Sequence, residues 1–109
     1  TTTAYDLLLL YEQLGKRQAV SPEADQAMIN ILLDQHFNEA IPALLPNDVK
    51  VAHKTGWITR VSHDSGLVIL PDGRQYALVI LTKEWESDED NTALMAAISK
   101  EIYDYFVSP

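Results

Sequence analysis

The stretch Val51-Ala52-His53-Lys54-Thr55-Gly56-Trp57-Ile58 gathers residue types able to hold an anionic acyl group. The alternating character of residues 49–55 predicts a strand. A free strand edge presents backbone N–H groups at fixed spacing and can hold an acyl substrate as if it were an added strand. Lys54 brings a positive charge suited to a carboxylate, and the Thr55 hydroxyl can hydrogen-bond the same group. Gly56 lets a ligand come close to the backbone. The next N–H, that of Trp57, can stabilise a tetrahedral oxyanion; losing one such donor costs roughly 3 kcal/mol. Read alone, Lys-Thr-Gly is also an ordinary strand end with an exposed lysine.

Other residues could do chemistry too. His53, His63 and Asp64 suggest a metal site or a His-Asp pair. A metal needs several converging ligands, and the favoured reading is a hairpin histidine hydrogen-bonded to a carboxylate or to backbone. His36 is expected on a helix surface or in a loop. The Trp57 side chain is either a cleft wall or a core aromatic. Trp85 is expected to pack, as are Tyr103, Tyr105 and Phe106, because no basic residues interleave with them as a nucleic-acid stacking platform requires. The acidic stretch from Glu84 to Asp90 reads as a solvated loop and helix start, since its spacing is not that of a calcium loop. No metal site and no cofactor are expected.

The elements that must position these residues are legible in outline. Thr1, Thr2 and Thr3 are N-cap candidates for a helix over 3–15, in which Leu7, Leu10, Tyr11 and Leu14 recur at helical spacing and Gly15 stops the pattern. Ser21-Pro22 opens a second helix over 21–34, with Ala27, Met28, Ile31 and Leu32 as its apolar stripe. Pro42 and Pro46 break any long helix between 35 and 45, leaving one short turn and a loop. Strands follow over 49–55, 65–70 and 75–82. Pro71-Asp72-Gly73 is a hairpin turn in which Pro presets the first bend and Gly accepts a positive φ. A last helix over 89–106 starts among carboxylates and carries Leu94, Ile98, Ile102 and Tyr105. The reading is one segment, 1–109, of α+β class: a three-stranded antiparallel β-meander packed with helices.

Composition limits the partners. Lys plus Arg is 8 and Asp plus Glu is 16, giving 8 − 16 = −8. Such a balance argues against nucleic acid, whose phosphates need a basic face, and against an anionic membrane surface. There is no cysteine, hence no disulfide and no thiolate metal site. No apolar run approaches the length of a membrane span. The hydrophobic share of 47 % is that of an ordinary globular domain.

The motif and its surroundings resemble the class A-type serine β-lactamases and the penicillin-binding proteins, in which Lys-Thr-Gly is a signature. The residues that carry the resemblance are His53-Lys54-Thr55-Gly56-Trp57, then His63-Asp64-Ser65-Gly66, then Pro71-Asp72-Gly73-Arg74. Thr2-Thr3-Ala4 with Asp6-Leu7 is similar to the helix start that precedes the motif strand in that superfamily. The chain as a whole looks like its C-terminal third to half, so the resemblance implies part of a β-lactamase/transpeptidase-like fold and a periplasmic or secreted location. It implies that Lys54 and Thr55 contact a substrate carboxylate, that Gly56 admits the substrate, and that the Trp57 N–H is an oxyanion donor. Many class A enzymes carry a small residue where Trp57 stands, and an Arg near the position of Asp64; Arg60 is the candidate substitute.

No S-x-x-K, S-D-N, Y-x-N or E-x-x-L-N segment occurs in the 109 residues. By resemblance, therefore, the chain contributes the Lys-Thr-Gly wall of a serine acyl hydrolase acting on a small acyl or β-lactam-like carboxylate, and by itself is expected to be inactive. The alternatives are a ligand-binding module that kept the fold without the chemistry, and a self-assembling unit. Uncovered apolar faces and open strand edges lead to an expected homo-oligomer.

Overall fold

The computed structural model describes residues 2–58, 61–83 and 88–108, with the side chains of Trp57, Ile58, Asp88 and Glu89 left aside. Helix α1 (Ala4–Gly15) starts on a capping box: the Thr3 hydroxyl accepts from the Asp6 N–H at 3.1 Å, and the Asp6 carboxylate accepts from the Thr3 N–H at 3.3 Å. Its end differs from the sequence expectation. Gly15 is the last helical residue, and the left-handed backbone falls on Arg17 (φ 60°). Gly15 serves close approach instead. A Cβ there would stand 2.9 Å from the Gln75 amide nitrogen, which donates to the Gly15 carbonyl. The Arg17 guanidinium bonds the same carbonyl and the Gln26 side chain, offsetting the unfavourable φ.

Helix α2 (Pro22–Leu33) is capped by the Ser21 hydroxyl, with Pro22 at its first position. Its expected stripe is displaced. Asp25 and Ile29 are buried while Ala27, Met28 and Ile31 are exposed, Ile31 by 66 %. The cause is the Asp25 carboxylate, which accepts the Ala19 and Val20 N–H groups at 2.7 and 3.0 Å and so fixes which side of the helix faces inward. Met28 and Ile31 then line an open groove of about 440 Å³ with Leu10, Leu14, Val20 and Leu32.

After α2 the chain runs through turns to β1 (Lys50–Ile58), β2 (Val61–Ile69) and β3 (Gln75–Lys83), an antiparallel sheet of order β1-β2-β3. The meander is as expected, but β2 starts at Val61 rather than 65, and β1 continues through Gly56 to Ile58. Each extension supplies the other's partners: Thr55 faces Asp64, Gly56 faces His63, and Trp57 faces Ser62. The β2–β3 turn forms as read, with Gly73 at φ 93° and its N–H donating to the Leu70 carbonyl at 3.0 Å.

Side-chain alternation gives the sheet two apolar faces, each covered. Ala52 and Leu67 pack with Tyr11, Leu14 and Ile29 from α1 and α2. Val51, Val68 and Leu78 pack with Ile41 and Leu45 of the connecting turns and with Tyr103 and Phe106 of α3 (Asp88–Val107). The apolar row read on α3 is not its buried face. Leu94, Ile98, Ile102 and Tyr105 are exposed, whereas Asn91, Met95, Ala96 and Ser99 are buried. The residue between two polar anchors must face the sheet, and both anchors are filled: Asn91 Nδ2 donates to Thr82 Oγ1 at 2.7 Å, and the Ser99 hydroxyl to the Ile41 carbonyl at 2.8 Å.

Two glycines in the site strands should respond oppositely to alanine. A Cβ on Gly66 would stand 2.2 Å from the Ala52 carbonyl oxygen and 2.7 Å from the His53 Cα, both backbone atoms; one on Gly56 would meet nothing within 4 Å. Gly66→Ala should cost about 3 kcal/mol or more and Gly56→Ala about 0.5 kcal/mol or less, read as urea midpoints at constant m-value.

The Tyr76 hydroxyl is buried without a hydrogen-bond partner among the described residues, and its ring packs on Phe106 at 4.7 Å. Burial, with Tyr103 nearby, pushes its phenol up to about 12. A folded value above the unfolded one means that this stability is complete below about pH 10 and is lost as pH rises towards about 12. Tyr76→Phe should leave the midpoint at neutral pH unchanged or slightly higher, and should flatten its decline between about pH 10 and 12.

Candidate functional site

Strand β1 forms one edge of the sheet, and on it the motif residues take opposite sides. Lys54 is exposed on the side of α1 and α2, across from Ser65, and its amine donates back to the Thr55 carbonyl. Thr55 is buried on the other side, across from Asp64. Gly56 follows, within the strand and open to space where a side chain would be. The Trp57 backbone belongs to the same strand, paired with Ser62. Arg60, and with it Thr59, lies outside the described residues, as do Trp85 and residues 84–87. The choice between cleft wall and core for the Trp57 side chain lies outside them too.

Beneath the motif is a buried polar cluster. His53 and Asp64 are 1 % and 0 % exposed, and His53 Nδ1 meets Asp64 Oδ1 at 2.8 Å. The second carboxylate oxygen accepts the Ile41 N–H at 2.9 Å. On the far side of the ring, Nε2 meets Asn38 Oδ1 at 3.0 Å. The Asn38 amide is oriented by its own nitrogen, which donates to the Gln35 carbonyl at 3.2 Å. The ring thus has a hydrogen-bond partner at each nitrogen, the Asp64 carboxylate at Nδ1 and the Asn38 side-chain oxygen at Nε2. A buried pair of this kind persists only when all its hydrogen-bonding positions are filled, and here backbone and amide groups fill them.

The expected hairpin histidine with a carboxylate or backbone partner is thus found twice. His53 takes Asp64, and His63 accepts the Thr82 N–H at 3.0 Å on Nδ1. The exposed His36 lies in the turns after α2. Among the described residues no three His, Cys, Asp or Glu side chains converge as a metal set. Tyr11 and Ser65 meet at 3.0 Å in the interior, opposite Lys54. Burial pushes the Tyr11 phenol up, against the Ser65 hydrogen bond and with the help of the Asp64 charge. A phenol held in its neutral form does not activate that serine as a nucleophile.

The sequence reading missed Asn38, the Ile41 N–H and Ser99 as partners of the cluster, and Asn91 as a buried anchor of α3. Asn91 shows one buried acceptor, Oδ1, without a partner among the described residues. The signal available was polarity at positions where helical or strand spacing demands an interior residue.

Comparison with known proteins places this geometry in context. The Beta-lactamase enzyme family matches residues 1–106. A β-lactamase of Bacteroides uniformis is 40 % identical over 72 residues, which are 59 % of this chain and 24 % of that protein. The crystal structure of a class A β-lactamase from Bacteroides cellulosilyticus superposes with a TM-score of 0.91 at 30 % identity, over 99 % of this chain and 42 % of that one. PBP-A superposes with a TM-score of 0.89 at 30 % identity, over 96 % of this chain and 40 % of its own; a mutant of it is also solved as an acyl-enzyme complex with penicillin G. The chain thus spans about a quarter of the curated relative and about two-fifths of the solved chains.

Breaking the buried pair should be costly. Asp64→Ala leaves an imidazole and a backbone N–H unpartnered and should lose about 3–5 kcal/mol. Asp64→Asn can still accept from Ile41 and donate to Nδ1, and should lose only about 1–2 kcal/mol. Denaturant titration of the three proteins checks both values.

Proposed function

Because the chain belongs to the β-lactamase enzyme family, we propose that it supplies the wall of a serine acyl-hydrolase site that holds the substrate carboxylate and the oxyanion. The observation that carries the proposal is a strand edge, unpaired among the described residues, on which a lysine amine, a threonine and an unobstructed glycine follow one another. Lys54 and Thr55 would bracket a carboxylate lying along that edge from its two sides. Gly56 would let the acyl group lie against the backbone, and the Trp57 N–H would donate to the carbonyl oxygen as it becomes an oxyanion. Arg60 would add a second positive charge near the carboxylate. The attacking serine would come from residues beyond this sequence, which contains no S-x-x-K.

The penicillin G acyl-enzyme of PBP-A supports a β-lactam or a related small acyl carboxylate as substrate. Labelling tests this directly. The protein encoded by the gene that carries this chain should be acylated by a fluorescent penicillin. Lys54→Ala should slow acylation on the order of 10- to 100-fold, the worth of a hydrogen bond to a charged group. Gly56→Ala should slow it without lowering the unfolding midpoint. A wild-type protein that is never labelled would overturn the proposal.

Open edges and apolar rows favour a second property, self-association of the 109-residue chain. Leu94, Ile98 and Ile102 form an exposed row on α3, and Met28 and Ile31 another on α2. Sedimentation at roughly tens of micromolar should show a dimer or larger species; a strict monomer would remove this reading and leave the first intact.

A further inference from the structure

We propose that the His53–Asp64 pair, with Asn38, is a positioning device for the Lys54-Thr55-Gly56 edge and sets the site's preference for substrates bearing a carboxylate. The inference rests on the hydrolase reading above and assigns to it residues that touch no substrate.

The argument starts from what an edge strand lacks. Strand β1 is held by β2 on one side only, so its other side must be fixed by something beneath it. Alternation puts His53 and Thr55 on the same sheet face, and the strand register puts Asp64 directly opposite Thr55. The imidazole is bolted at both nitrogens, to Asp64 on β2 and to Asn38 in the turns that precede β1. Asp64 in turn binds the Ile41 N–H, and the Ile41 carbonyl takes the Ser99 hydroxyl of α3. One ring therefore ties the edge strand to the central strand, to the preceding turns and, through them, to α3. The residue bolted in this way is the one immediately before Lys54, and its same-face neighbour is Thr55.

The absence of any side chain on Gly66 completes the fit. That residue pairs with His53, and a Cβ on it would overlap the backbone of Ala52 and His53. The strands approach closely enough there that a shift of the ring must shift the strand. Displacing Lys54 and Thr55 by even about 1 Å is enough to cost on the order of a hundredfold in a reaction that depends on orientation. The loss would fall hardest on substrates anchored through the carboxylate, because Lys54 and Thr55 contact that group.

The test uses the protein encoded by the gene that carries this chain and two penicillin-type probes, one with a free carboxylate and one its methyl ester. The readout is the ratio of their acylation rate constants. Asp64→Ala should lower the ratio by about ten- to a hundredfold, with the ester rate changed by less than about threefold. Asp64→Asn, which retains both hydrogen bonds, should restore the ratio to within about threefold of wild type. Where Asp64→Ala fails to fold, Asn38→Ala carries the test. Asn38 is exposed, so its loss leaves the fold standing, and it frees one side of the ring; the ratio should fall by roughly three- to tenfold. Thermal unfolding of each variant confirms that the measured protein is folded. Parallel losses for both probes, or an unchanged ratio in Asn38→Ala, would show that the pair serves stability alone and overturn the proposal. A wild-type protein that reacts with neither probe overturns the hydrolase reading, and a wild-type ratio near one overturns the carboxylate wall.

Discussion

The arrangement depends on a histidine and an aspartate hydrogen-bonded to each other in the interior. An unpaired charge at that depth would not be tolerated, so the surrounding chain must deliver partners to both groups. Those partners come from separate parts of the molecule: Asn38 and the Ile41 N–H from the turns, Asp64 from β2, and His53 from β1. Satisfying the pair therefore fixes where the turns lie against the sheet. It also fixes α3 at one point, because the Ile41 carbonyl takes the Ser99 hydroxyl. The apolar residues around it, Ile41 and Leu45 against Val51, Val68 and Leu78, give the face its cohesion without choosing among similar packings. The polar contacts make that choice.

Much of the architecture was legible in the sequence, wherever the cue was local. The Ser21-Pro22 start of α2 and the Pro71-Asp72-Gly73 turn follow from the chemistry of residues adjacent in the chain. So does the order of helices and strands, and with it the α+β meander. The family resemblance rested on motif tripeptides and their spacing, and the match over residues 1–106 upholds it.

What was not legible depended on partners distant in sequence. Spacing marks Leu94, Ile98 and Ile102 as the apolar row of α3, but the helix turns Asn91 and Ser99 inward, towards Thr82 and the Ile41 carbonyl. The same logic displaced α2, where a buried carboxylate binding Ala19 and Val20 outweighs the apolar Met28 and Ile31. The sequence reading starts the second strand at 65, which leaves Ser62-His63-Asp64 outside it. Ser62, His63 and Asp64 are strand, paired with Trp57, Gly56 and Thr55 on β1 and with Thr82, Leu81 and Ile80 on β3. That four-residue difference had the largest consequence. It puts Asp64 in the row opposite Thr55, where it partners His53.

An edge that receives a ligand has two conflicting requirements. It must stay unpaired, since a neighbouring strand would occupy the hydrogen-bonding positions the ligand needs. It must also be stiff, since a site whose donors wander gains little from having them. On the proposed reading, β1 meets both by drawing its rigidity from beneath rather than from the side. The Lys54 amine stays close to its own strand, on the Thr55 carbonyl, while the ring one residue earlier is held at both nitrogens. Net charge is a poor guide to such a site. A chain with eight more acidic than basic residues can still present one positive group at the place where an anion would lie, because exposed charges farther off than about 10 Å are largely screened and local geometry decides what the anion meets.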